Sequence, residues 1–136
     1  MASMRRAATL ALMLAAIAVF VVGSDASVDA SEGKREFVRS TVSSHDVVIF
    51  SKSYCPYCRR AKGVFQELKK VPYIVELDQR EDGYEIQDAL SQIVGRRTVP
   101  QVFINGKHIG GSDDTLEAFE SGKLAELLGI SSEADL

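Results

Sequence analysis

Between Val47 and Leu77 an apolar, β-branched run, a helical period and a second β-rich run follow one another. Few folds accommodate that order. Val47-Val48-Ile49-Phe50 reads as a buried strand. Ala61, Val64, Phe65 and Leu68 recur at helical spacing across Tyr57 to Lys70. Tyr73-Ile74-Val75-Glu76-Leu77 returns to strand character. Strand, crossover helix and strand at this spacing make a βαβ unit, with parallel strands and a right-handed crossover.

The flanking segments extend the unit on both sides. Phe37, Val38, Thr41 and Val42 have helical spacing, so a first helix is expected from near Ser31. Asp82-Gly83 breaks the chain before a third helix, on which Ile86, Ala89, Leu90, Ile93 and Val94 line one face, with Gly95 as its stop. Gln101–Ile104 and Lys107–Gly110 are two short strands joined by Asn105-Gly106, a strong hairpin signal. A helix capped by Ser112 or Asp113 follows to about Ser121, and Lys123–Leu128 makes a last short one. The expected order is α-β-α-β-α-β-β-α-α. That is an α/β fold, a three-layer α/β/α arrangement around one four-stranded mixed sheet.

A chain of 136 residues has room for one ordinary domain. Its start is different in kind. Arg5 and Arg6 precede an apolar run from Ala7 to Gly23, and Ser24-Asp25-Ala26 has small residues at both ends of a cleavage triplet. These are the marks of a secretory signal peptide. The expected division is a signal peptide at 1–26, a polar linker at 27–33, the folded domain at 34–130 and a tail at 131–136. The expected location is the secretory pathway, in the lumen of the endoplasmic reticulum or Golgi or outside the cell. An uncleaved anchor in the same pathway is the alternative, although the run lies at the short edge of what spans a bilayer of about 30 Å. Membrane contact is expected only in that case.

Composition narrows the chemistry. A formal charge of −3 and a pI near 5.4 argue against nucleic-acid binding, which needs a strongly basic face. There are two cysteines, Cys55 and Cys58, too few and too close for a disulfide framework. A bridge inside one helical turn would stabilise little by chain entropy. Half a zinc site would need two further ligands, and His45 and His108 have no finger-like spacing. Redox chemistry remains. Pro56 favours a first helical turn, which makes Cys55 the helix N-cap. The unpaired N–H groups there lower the pKa of a thiolate, and Lys52 adds a cation. Arg59 and Arg60 either help that thiolate or form a solvated helix face. Cys58 falls one turn later, nearer the helix interior. The expected roles are attack by Cys55 and resolution by Cys58.

Cys55-Pro56-Tyr57-Cys58 after a strand, Thr98-Val99-Pro100 before a strand, and Gly110-Gly111-Ser112-Asp113-Asp114 before a helix together resemble the glutaredoxins. The similarity runs from about Ser31 to Leu128 and is greatest to the dithiol, secretory-type members of plants. It implies a thioredoxin-like fold, glutathione as co-substrate, and reduction of protein–glutathione mixed disulfides and small disulfides. It also implies a ligand site. Thr98 and Val99 would offer a backbone edge beside a cis Pro100. Gly111, Ser112 and the helix start would hold the γ-glutamyl carboxylate, with Asp113 or Asp114 on the amine. Lys52 and Gln87 match positions at the glycyl carboxylate, Tyr57 matches a ring lining the groove, and Arg96 and Arg97 would add positive field, with solvated surface charge as the alternative for at least one of them. Partners are then glutathione and glutathionylated or disulfide-bonded proteins, met as a monomer. No metal is expected: some relatives share a [2Fe–2S] cluster between protomers, but Pro56 speaks against that. A thioredoxin-like oxidase or isomerase that ignores glutathione is the other rival. Tyr57 and the Gly-Gly-Ser-Asp segment speak against it.

Overall fold

The computed structural model describes residues 26–130. The segments read as signal peptide or anchor and as tail lie outside them, except for Ala26. Among the described residues the elements are α1 (Ala26–Ser44), β1 (Val47–Ser51), α2 (Pro56–Glu67), β2 (Tyr73–Glu76), a 3-10 turn (Leu77–Gln79), α3 (Gly83–Val94), β3 (Gln101–Ile104), β4 (Lys107–Gly110), α4 (Ser112–Glu120) and α5 (Lys123–Leu127). The sheet order is β2-β1-β3-β4. β1 runs parallel to β2, while β3 is antiparallel to both β1 and β4. This is the thioredoxin-like arrangement.

Strand alternation divides the core into two layers, because successive side chains point to opposite faces. Val48 and Phe50 of β1 and Phe103 of β3 meet Val38 and Val42 of α1 and Ile86 and Leu90 of α3. Val47, Ile49, Val102 and Ile104 face the other way, onto Ala61, Val64 and Phe65 of α2 and Leu124 of α5. Phe50, Phe65, Ile49, Ile86 and Leu90 are fully buried or nearly so, each worth roughly 1.5–3 kcal/mol of transfer free energy. The central strand β1 is buried along its whole length. α2 is thereby seated on a rigid floor, and its first residues are placed at the end of β1.

Four boundaries differ from the sequence expectation. The stretch 27–33, expected as a linker, is helical: α1 starts at Ala26. No apolar period marks this first part, whose helix is supported by the pairing of Glu32 with Arg35 and Arg39 along one face. α2 stops at Glu67 rather than Lys70, because Lys69 turns to φ 57° while the Lys69 and Lys70 N–H groups bond back to Gln66 O and Phe65 O. That is a Schellman ending without the usual glycine. Leu77 leaves β2 for the 3-10 turn, where its carbonyl would stand 1.8 Å from any Cβ at residue 83, so Gly83 lets α3 start there. The N-cap of α4 is Gly111 rather than Ser112 or Asp113. The Asn105-Gly106 turn has positive φ at both positions, as a two-residue hairpin requires.

Candidate active site

Cys55 is the N-cap of α2, with extended φ and ψ, and Pro56 opens the helix. The turn before it is tied down from two sides. The Cys55 N–H donates to Lys52 O at 3.0 Å, and the Ser53 N–H and hydroxyl both donate to the Asp78 carboxylate. Those bonds from Ser53 hold the Asp78 carboxyl below the usual range. The cap is a sulfur in place of the customary oxygen: the Cys58 N–H donates to Cys55 Sγ at 3.4 Å.

Two sulfurs three residues apart are thus in opposite environments. Burial pushes the Cys55 thiol up, but the surrounding donors outweigh it. The Cys58 thiol, the Cys58 and Tyr57 N–H groups and the Lys62 charge bring its pKa below that of an ordinary cysteine. Cys55 remains partly exposed, whereas Cys58 is fully buried. Burial pushes the Cys58 thiol above the ordinary value, and hydrogen bonds from the Lys52 N–H and the Ser51 hydroxyl offset only part of that.

The loop before β3 forms the facing wall. The Val99–Pro100 peptide is cis, and Val99 O lies 4.0 Å from Cys55 Sγ. Among the described residues the Val99 N–H has no backbone partner. Side chains behind it fix the loop. The fully buried Gln101 donates through Nε2 to Thr98 O and Oγ1 at 3.0 and 3.2 Å. Its Oε1 therefore faces His108, whose Nε2–H donates at 2.6 Å. Burial, then Arg96, keeps the His108 pKa below the usual value. Gln87 donates through Nε2 to Arg97 O at 3.0 Å and is buried.

Gly111 abuts the same loop, since a Cβ there would be 3.6 Å from Pro100 O. Asp114 reaches back so that its Oδ2 accepts the Gly111 N–H at 3.0 Å. This requires Gly110, whose φ is +131° and whose Cβ would fall 2.2 Å from Asp114 Oδ2. Ser112 is 6% exposed, and its Oγ is buried with no hydrogen-bond partner. An unsatisfied hydroxyl at a helix start is costly for folding alone. Asp113 is exposed and stands 3.9 Å from Arg60, whose guanidinium is 5.8 Å from the centre of the Tyr57 ring.

Most of the residues singled out from the sequence therefore gather here, with three revisions. Lys62 supplies the positive charge felt by Cys55; the charge of Lys52 falls on Asp78, and its backbone meets Cys58. Gln87, expected at the glycyl carboxylate, is buried and donates one amide N–H to Arg97 O in the loop. Arg97 is engaged with Asp88 at 2.7 Å and lies over the Tyr84 ring at 4.5 Å, so its charge is shared. Lys62, Gln101 and His108 were missed. The position of Lys62, seven residues after Cys55 on one helix stripe, was the available signal. Among the described residues no group of three or more His, Cys, Asp or Glu side chains is gathered for a metal, and no helix is long and apolar enough to cross a membrane.

A family model described as Glutaredoxin matches residues 47–109. Glutaredoxin-C8 of Oryza sativa subsp. japonica is 72% identical over 124 residues, which cover 90% of this chain and 90% of that protein. Glutaredoxin-C4 of Arabidopsis thaliana is 61% identical over 129 residues, covering 95% and 94%. The crystal structure of a buckwheat glutaredoxin–glutathione complex superimposes with a TM-score of 0.73 at 43% identity, covering 76% of this chain and 97% of that one.

Proposed function

Because this chain belongs to the glutaredoxin family, and is with it a glutathione-dependent thiol oxidoreductase, we propose that it reduces protein–glutathione mixed disulfides and small disulfides through Cys55, with Cys58 resolving. The observation that carries the reading is the contrast between the two sulfurs, one an accepting helix cap and the other enclosed.

The Cys55 thiolate attacks the glutathionyl sulfur of the substrate. That bond forms as the substrate's S–S bond breaks, and the protein thiolate leaves and takes a proton from solvent. Cys55 then carries glutathione. A second glutathione thiolate attacks the bound glutathionyl sulfur, releasing glutathione disulfide and the Cys55 thiolate. In the alternative branch the Cys58 thiolate attacks Cys55, expels glutathione and leaves a Cys55–Cys58 disulfide. In the first branch one free glutathione is consumed, and its sulfur joins the substrate's glutathionyl sulfur in glutathione disulfide; in the second, two glutathione thiols reduce the Cys55–Cys58 disulfide and leave as glutathione disulfide.

The cleft suits such a ligand. The Val99 N–H and C=O supply a backbone edge for its cysteinyl residue, next to the sulfur. The start of α4 supplies N–H groups, and the unpartnered Ser112 hydroxyl a further donor, for the γ-glutamyl carboxylate. Asp114 spends an oxygen on the Gly111 N–H, which leaves the exposed Asp113 for the ligand's amine. Lys52 is proposed at the glycyl carboxylate and Tyr57 as a groove ring. A glutathione-coupled mixed-disulfide assay tests this reading. Loss of turnover in Cys55→Ser, and retention of most of it in Cys58→Ser, is expected; equal loss in both would sink the monothiol branch.

The secretory reading of residues 1–26 remains part of the proposal, with anchoring as its alternative. Glutaredoxins have potentials of roughly −200 to −230 mV against about −180 to −210 mV in the endoplasmic reticulum. There the pair would rest largely as a disulfide, and the enzyme would run as an oxidant or glutathionylation catalyst as readily as a reductase. Thiol trapping in intact cells checks this, and a fully reduced resting state would contradict it.

A further inference from the structure

The stripe of α2 that carries the two cysteines continues inward to a third functional group. Cys55, Cys58 and Lys62 are spaced by three and then four positions, which aligns them along one helix face. Lys62 does not point to open solvent. Its side chain is 22% exposed, and Nζ lies 2.5 Å from Glu76 Oε1, on a carboxylate that is 19% exposed. Glu76 is paired with Ser51 in the parallel register of β1 and β2, and the Ser51 hydroxyl is 3.3 and 3.2 Å from its two oxygens. Ser51 is fully buried and stands against the Cys58 thiol. A mostly enclosed ion pair is weakly screened, so its field reaches the neighbouring sulfurs far better than that of a surface pair would.

We propose that Glu76, Lys62 and Ser51 form a positioning set for the thiolate, in which Glu76 anchors the Lys62 ammonium and sets how much of its positive charge acts on Cys55. The inference rests on Cys55 being the attacking sulfur. None of the three touches substrate; they act through Cys55 and Cys58. The groups facing the Cys55 sulfur are the Cys58 thiol, the Tyr57 N–H and Lys62 from α2, and the neutral Val99 carbonyl from the loop before β3. Lys62 in turn faces Glu76 from β2, which the Ser51 hydroxyl of β1 also touches.

The arrangement makes a prediction with opposite signs. An ammonium held by a carboxylate acts on a third group as a dipole, weaker than either charge alone. Removing the negative end leaves the cation unopposed, so Glu76→Gln lowers the Cys55 pKa. Removing the positive end leaves a carboxylate near the thiolate, so Lys62→Met raises it. The thiolate belongs to the reduced form. Hence Glu76→Gln also shifts the exchange of the Cys55–Cys58 disulfide with two glutathione thiols toward the dithiol, and Lys62→Met shifts it toward the disulfide.

The test is the pH profile of iodoacetamide alkylation at Cys55, followed by mass spectrometry on the full chain. Below the midpoint, Lys62→Met should react about three- to tenfold more slowly than the native protein and Glu76→Gln about two- to fivefold faster, since one pKa unit is a tenfold change in thiolate. Lys62→Arg should keep the native midpoint. Lys62→Met leaves a mostly enclosed carboxylate without its cation and risks misfolding, so the double variant Lys62→Met/Glu76→Gln, neutral at both positions, is measured as well and should fall between the two singles. Shifts of the same sign in both singles, or a native midpoint in both, would overturn the inference. If native Cys55 titrates low while the variants are silent, only this inference fails. A native Cys55 that titrates like a free thiol removes the reading on which it rests, and the inference with it.

Discussion

At the start of α2 the Cys55 sulfur takes up the Cys58 N–H and completes the cap from within the chain. At the start of α4, which abuts the loop before β3, Asp114 satisfies only the Gly111 N–H, and the Ser112 hydroxyl is left buried and unpartnered. A third helix start, that of α3, is handled in yet another way. Asp82 is its N-cap residue but makes no capping bond, and its carboxylate pairs with Arg80 at 2.8 Å and Lys34 at 2.9 Å. All three helices begin with unpaired N–H groups and a partial positive charge. The difference lies in what meets that charge: a sulfur, a buried hydroxyl without a partner that is proposed to meet a ligand anion, or a structural ion pair. The same backbone physics is met in three different ways according to one or two side chains, which the proposed function reads as catalysis, recognition and stability.

Breaking the first of these has the largest expected effect. Cys55→Ser should lower mixed-disulfide reduction by about a thousandfold or more, because the nucleophile itself is gone. Cys58→Ser should keep most deglutathionylation in the same assay. The second start can be disturbed while the first is left alone. Gly110→Ala forces a Cβ into Asp114 at a backbone angle suited to glycine and should cost roughly 1–3 kcal/mol in denaturant unfolding. In that variant KM for glutathione should rise while the alkylation midpoint of Cys55 stays fixed. A midpoint that moves would show that the two helix starts are coupled rather than separate.

Ser112→Ala sharpens the comparison further. It removes a hydroxyl that the fold does not use, so stability should change by less than about 0.5 kcal/mol or improve, while KM for glutathione rises by roughly two- to tenfold. A destabilised variant with unchanged KM would assign Ser112 to the fold alone. The smallest effect belongs to α3. The bonds to Arg80, then Lys34, hold the Asp82 carboxyl down to about 2. Its stabilising contribution is thus complete above the unfolded carboxylate range near pH 4 and is lost as pH falls toward 2. Asp82→Asn should cost at most about 1 kcal/mol at pH 6, given the exposure of the pair, and the gap to the native protein should close in acid. A gap that persists at pH 2 would mean that something other than the carboxylate charge is responsible.

What was legible in the sequence follows the range of the interactions involved. Val47–Phe50, the period of α3 and the Asn105-Gly106 turn are local patterns with a direct backbone meaning, and the strands and helices stand where those patterns place them. The position of Cys55 before Pro56 is equally local, and so is the helix cap it makes. Boundaries set by atoms without a compositional mark were not readable. The left-handed Lys69 carries no glycine, and the first turns of α1 carry no apolar period. Within the site, the failures share one cause. Lys62 of α2 was missed because its partner Glu76 lies on β2, and Gln101 and His108 because a hairpin folds one over the other. Nearness in sequence singled out Lys52 as the cation at Cys55, and tertiary placement gives that part to Lys62 instead.

Attack by Cys55 depends on its being ionised where an ordinary cysteine is not. The pH dependence of alkylation at each sulfur in the reduced native chain measures this directly. The predicted result is two separate midpoints, that of Cys55 below the free-thiol value near 8.5 and that of Cys58 above it. A single midpoint close to the free-thiol value, or Cys58 reacting before Cys55, would contradict it.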